Sequence, residues 1–170
     1  MVQIPADPPE KNTDVGQDDE EIFQPQIGIE VQFIKDLSFE NPVGSNATAM
    51  ITQTPEVNVE VSTNARPLEG EKYEVSIIIR GEAKTSDSTV FIVELTYAGV
   101  LTISNAPQDA IGPILLIEGA RLLFPFARNI VADVTRDGGF PPLLINPIDF
   151  AQLYRDQHMA EGSTNGVAPN

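Results

Sequence analysis

Residues 73–97 read YEVSIIIRGEAKTSDSTVFIVELTY, two runs of alternating residues around a short polar centre. In the first run Tyr73, Val75, Ile77 and Ile79 point one way while Glu74, Ser76, Ile78 and Arg80 point the other. In the second, Phe91, Val93, Leu95 and Tyr97 alternate with Ile92, Glu94 and Thr96, and the run continues through Val100, Leu101 and Ile103. Successive side chains of a strand leave opposite faces, so each run predicts a strand with one buried face. The polar stretch Lys84-Thr85-Ser86-Asp87-Ser88 predicts a hairpin between them.

Two more alternating runs lie upstream. Val57, Val59 and Val61 alternate with Asn58, Glu60 and Ser62, and the link Asn64 to Gly70 allows an antiparallel neighbour. Further back, Ile27, Ile29, Val31 and Phe33 are expected on one face, with Glu30, Gln32 and Asp36 on the other. About 15 residues, Asn41-Pro42 through Pro55, separate these two strands, which suits a crossover loop better than a tight turn. That loop carries Val43, Met50 and Ile51.

Downstream the period becomes helical. From Ala110 to Asp137 the apolar positions Ile114, Leu115, Ile117, Leu122, Leu123, Phe126, Ile130, Val131 and Val134 recur at helical steps, and Gly138-Gly139 marks a stop. Pro125 is expected to kink or divide this helix. An apolar loop, Phe140-Pro141-Pro142-Leu143-Leu144-Ile145, follows. Asn146-Pro147-Ile148-Asp149 reads as the start of a second helix, with Asn146 as its N-cap and Phe150, Leu153 and Tyr154 as its apolar stripe. The predicted class is α+β, a four-stranded antiparallel sheet with helices packed on one face.

The domain is expected over residues 27–158. Residues 1–26 carry seven acids against Lys11, a net −6, and predict a disordered acidic tail; residues 159–170 read as a second loose end. The whole chain has 25 acidic and 10 basic residues, a net charge of −15, which argues against nucleic acid or an anionic membrane as a partner and favours a basic protein. Without a basic, apolar leader or an 18-residue apolar span, a soluble, cytosolic protein is expected, with no membrane insertion.

Chemistry is sparse. The chain has no Cys and one His, His158, so no Cys-based zinc site, thiol nucleophile or His cluster can form. Nucleophile-elbow, phosphate-loop, dinucleotide and zinc-protease motifs are absent, and the carboxylate runs Asp18 to Glu21 and Glu69/Glu71 fall in tail and turn. No catalysis, metal or cofactor is expected. Ile78 and Ile92 lie on the polar parity of their strands, and the loops add Met50, Ile51, Phe140, Leu143, Leu144 and Ile145. Such apolar surface points to binding of apolar peptide segments, by strand addition or groove filling; tucking of the loop residues under the domain is the alternative.

Several strings are quite specific: Phe33-Ile34-Lys35-Asp36-Leu37-Ser38-Phe39-Glu40-Asn41-Pro42, Glu94 to Gly99, Leu122-Leu123-Phe124-Pro125-Phe126-Ala127-Arg128, Gly139-Phe140-Pro141-Pro142-Leu143 and Pro147-Ile148-Asp149-Phe150. With them the chain closely resembles SecB, the bacterial protein-export chaperone family, in continuous order from Ile27 to Gln157. The resemblance implies an ATP-independent holdase that keeps precursor proteins unfolded and delivers them to the SecA motor. It also implies a homotetramer, a dimer of dimers, with the helix Ala110 to Asp137 as the dimer-to-dimer element and no cofactor.

By the same resemblance, clients lie in grooves bordered here by Met50 and Ile51, and by Phe140, Leu143, Leu144 and Ile145. SecA docks on Asp36, Glu40, Ile92 and Glu94. The crossover loop departs from well-known relatives in having no aromatic residue between Val43 and Pro55, and Met50 is a flexible substitute. Two other readings stay open from residues alone: a SecB-like chaperone serving another partner, such as a toxin system, and a small-molecule-binding α+β domain.

Overall fold

The computed structural model describes residues 24–46, 54–86 and 88–164. Strands β1 (Gln26–Glu40), β2 (Glu56–Pro67), β3 (Lys72–Lys84) and β4 (Thr89–Ser104) form one antiparallel sheet in the order β1-β4-β3-β2. The first two strands therefore sit at opposite edges. Three strand spacings, about 14 Å at ~4.8 Å each, separate them, too far for a tight turn. The β3–β4 turn is closed by the Thr85 amide donating to the Ser88 carbonyl at 2.9 Å.

One helical run, α1, covers a face of the sheet. It begins as α-helix at Ile111–Pro113, widens to a π-helical stretch at Ile114–Gly119 and returns to α-helix over Ala120–Asp137. Pro125 does not divide it. Proline leaves only the Arg121 carbonyl without its helical donor, and Arg121 and Pro125 are both on the exposed side of the chain. Helix α2 (Phe150–Thr164) packs Phe150 edge-on against Phe124, ring centroids 5.5 Å apart.

The N-cap of α2 is Asp149 rather than Asn146. Its carboxylate accepts the Gln152 amide at 3.0 Å and its carbonyl the Leu153 amide at 2.9 Å. Both residue types cap well, but residues 141–149 have no regular secondary structure, and the helix begins only at Phe150. The Gln152 hydrogen bond also lowers the pKa of Asp149. At its other end α2 continues to Thr164, past position 158, where the sequence reading ended the domain.

The core lies between the sheet and α1: Val75, Ile77, Ile79, Val93, Leu95 and Leu101 meet Leu115, Leu123, Ala127 and Val131. Strand β1 departs from its expected alternation. Register shifts at Glu30 and Lys35 each insert one residue. After the first, Val31 pairs with Val100 and Phe33 with Ala98, on the outer, helix-free face, while Gln32 opposite Gly99 turns inward; after the second, Asp36 opposite Thr96 is again on the outer face. The expected grouping of Ile27, Ile29, Val31 and Phe33 is thus split, because a bulge reverses the parity of everything beyond it.

Candidate functional site

Two surfaces take shape around this frame, one apolar and one acidic. The apolar surface begins where α1 ends. Gly139 adopts φ 91°, the Phe140 amide donates to the Thr135 carbonyl at 3.1 Å, and the Gly139 amide donates to the Arg136 carbonyl at 2.9 Å. This paired closure of the last helical turn needs a residue tolerant of positive φ, which glycine is. It throws Phe140 back onto the sheet, where its ring lies 5.2 Å from Phe91 and 6.4 Å from Phe39.

From there the chain runs opposite β2 without regular secondary structure. The Leu143 amide donates to Thr135 Oγ1 at 2.9 Å. Leu143 itself rests over Gly81 of β3, where a Cβ would come within 2.9 Å of its Cδ2. The residues alternate accordingly: Phe140 and Ile145 are each 7% exposed, Leu143 is half-buried, and Leu144 is 65% exposed. An open trough of about 520 Å³ lies between Val57, Val59 and Val61 of β2 and residues 143–148, with Leu153 of α2 at its end. Since β2 ends the sheet, its outer backbone edge has no strand partner among the described residues.

Of the positions the resemblance marks for clients, Leu143, Leu144 and Ile145 line this trough, with Ile145 as floor. Phe140 does not line it; it belongs to the core, packed against Phe39 and Phe91. Met50 and Ile51 lie outside the described residues. Sequence reasoning missed Thr135 and Gly81, and it treated Val57, Val59 and Val61 only as a buried strand face. The available signals were a threonine on the apolar stripe of α1 and a glycine inside a strand.

The acidic surface is the outer face of the sheet. Asp36, opposite Thr96, Glu40, opposite Ile92, and Glu94, opposite Ser38, all share it. The four positions marked for docking therefore lie on the face away from α1. Arg80, opposite Glu94, forms an ion pair with it. Farther along, Glu74 binds Lys35 of β1 and Arg66 of β2, each at 2.6 Å. The Arg66 hydrogen bond, then that from Lys35, holds the Glu74 carboxyl down at about 2. At neutral pH Glu74 is thus an anion tying three strands together, already matched by its own cations. His158 is exposed, its ring centroid 4.1 Å from that of Tyr154. No helix among the described residues is long and apolar enough to cross a membrane.

Comparison with known proteins gives a consistent result. Residues 20–161 match the family model described as preprotein translocase subunit SecB. A protein-export protein SecB from Azorhizobium caulinodans is 47% identical over 137 residues, 81% of this chain and 86% of that protein. One from Afipia carboxidovorans is 51% identical over 139 residues, 80% of this chain and 84% of that protein. Among solved structures, the SecB-like chaperone of Mycobacterium tuberculosis in complex with a peptide from the HigA1 antitoxin aligns with a TM-score of 0.55. That match has 15% identity and covers 72% of this chain and 90% of that one, a likeness of fold. The α+β fold and the sequence agree, and the chain belongs to the SecB family of protein-export chaperones.

Proposed function

We propose that the chain holds unfolded precursor proteins in the cytosol along the trough between β2 and residues 143–148, without nucleotide, and delivers them to SecA through Asp36, Glu40, Ile92 and Glu94. The observation that carries this reading is the separation of the two surfaces. The trough is walled mostly by apolar side chains and borders a sheet edge with no strand partner among the described residues, which suits an extended apolar segment by groove filling and strand addition. The acids and Ile92 share the opposite face, which suits a basic partner with an apolar contact. A client and SecA could then be held together during transfer.

The working unit is a homotetramer, a dimer of dimers. Support comes from Ile29, Ile34 and Leu37 of β1 and from Leu122 and Phe126 of α1, all exposed large apolar side chains. Ile34 pairs with Tyr97 and Leu37 with Leu95, so this apolar zone lies on the helix side of the sheet beside α1. Further copies of the chain would cover it.

The test combines aggregation of a reduced, unfolded precursor without nucleotide with binding of purified SecA. Protection and SecA binding are expected together. A requirement for nucleotide, or equal competition by folded protein, would sink the holdase reading. Protection without SecA binding would leave a chaperone that serves a different partner.

A further inference from the structure

We propose that Thr135 is a positioning residue for client holding. Its hydroxyl fixes the register of residues 140–145, so that Leu143 is seated on the sheet and Leu144 is turned out into the trough. This rests on the reading of the trough as the client site. Thr135 is 0% exposed and stands alone as a polar residue among the largest fully buried side chains described. It follows Leu123, Ala127 and Val131 at four-residue steps along the buried stripe of α1. An aliphatic residue would complete that stripe, and the hydroxyl is there for another partner.

Its oxygen works in both directions. As donor, it reaches the Val131 carbonyl at 2.9 Å and the Ala132 carbonyl at 3.1 Å, in the preceding turn. As acceptor, it takes the Leu143 amide at 2.9 Å. A hydroxyl whose proton is committed to its own helix presents a fixed lone pair, so the Leu143 amide has one defined place to go. That amide is half-buried and makes its hydrogen bond to this hydroxyl. Gly81 supplies the matching vacancy on the sheet side, because a Cβ there would strike both Leu143 Cδ2 and Val93 Cγ1 at 2.9 Å. With Leu143 drawn inward from both sides, Leu144 is left facing solvent at 65% exposure and Ile145 turns back into the core at 7%.

The test uses full-length Thr135→Val, which keeps the branched shape, and Thr135→Ser, which keeps the hydroxyl. Three quantities are read: amide hydrogen exchange at Leu143, the dissociation rate of a fluorescently labelled, reduced precursor, and SecA binding. Thr135→Val should speed both Leu143 exchange and precursor release by about tenfold, the effect of losing one buried hydrogen bond. SecA binding should be unchanged, and Thr135→Ser should restore both rates. Gly81→Ala approaches the same segment without altering α1 and should also speed release, which keeps the proposal exposed if Thr135→Val unfolds. Faster exchange with wild-type release would reduce Thr135 to a structural role and overturn the proposal, as would a serine variant no better than valine. A wild-type protein that fails to hold the precursor overturns the client reading as well, an outcome distinct from one in which wild type holds and neither variant releases faster.

Discussion

Arg80 of β3 and Glu94 of β4 stand opposite each other on the outer face of the sheet and form an ion pair, with Glu94 still 45% exposed. An incoming cation from SecA would have to share Glu94 with Arg80. Charge reversal by Glu94→Lys turns the attraction into a repulsion both for the partner and for Arg80, and SecA binding should weaken at least tenfold, roughly the scale of an interfacial charge mismatch. Arg80→Gln should do the opposite and strengthen binding a few-fold at low salt. Precursor holding should survive both changes. Asp18→Lys with Asp19→Lys shifts net charge by four units elsewhere in the chain and controls for bulk electrostatics; if that variant loses as much SecA binding as Glu94→Lys, there is no local patch. Raised ionic strength should weaken SecA binding and spare the apolar grip on clients.

Glu74 makes a second electrostatic prediction, about stability rather than binding. Its folded pKa, about 2, lies below the ordinary carboxylate value of 4.5 because Arg66 and Lys35 hydrogen-bond its anion. The unfolded chain therefore takes up the proton first as pH falls. The stabilisation is complete above pH 4.5 and is lost between about 4.5 and 2. Glu74→Gln should cost about 1–3 kcal/mol at pH 7 and flatten the decline of stability across that acid window. Urea unfolding at pH 7, 4 and 3 checks both. An unchanged acid slope would mean that the cluster does not hold the three strands.

The central strands were readable from sequence because β3 and β4 keep an unbroken pleat through most of their length and sit between other strands and α1. Ile78 and Ile92, on the polar parity of these strands, lie on the outer face. Strand β1 was not readable in this way, since a single inserted residue at Glu30 exchanges the faces of Val31 and Phe33, and nothing in an apolar alternation announces the insertion. Asp36 came out on the expected face only because Lys35 undoes the first shift. At the trough, the run Leu143-Leu144-Ile145 announced apolar surface but not which residue faces water. That choice is made by Thr135 and Gly81, remote in sequence, through one hydrogen bond and one missing methyl group.

Val93 tests how tightly sheet and helices fit. It is fully buried, and its Cγ1 already lies 2.9 Å from the place a Cβ on Gly81 would occupy. A tyrosine at this position has no room and no buried partner for its hydroxyl. Val93→Tyr should destabilise the chain by about 1–3 kcal/mol, and displacement of α1 should loosen assembly as well. Urea denaturation and sedimentation are the measurements. A variant with wild-type stability and wild-type mass would place Val93 on the open face instead.

Leu144 and Ile145 are neighbours in sequence with opposite surroundings, and this separates holding from folding. Leu144 is 65% exposed beside Val57 and Val59, whereas Ile145 is 7% exposed and part of the core. Leu144→Ser removes apolar area from the trough and little from the core, so stability should change by less than about 0.5 kcal/mol while an unfolded precursor is released faster. Ile145→Ala should cost about 2–5 kcal/mol of stability through the cavity it leaves, and any loss of holding should scale with that unfolding. Thermal or urea unfolding run beside precursor dissociation distinguishes the two. Were Leu144→Ser to hold precursors as wild type does, clients would have to grip another surface, and the free edge of β2 without its leucine wall would be the first place to look.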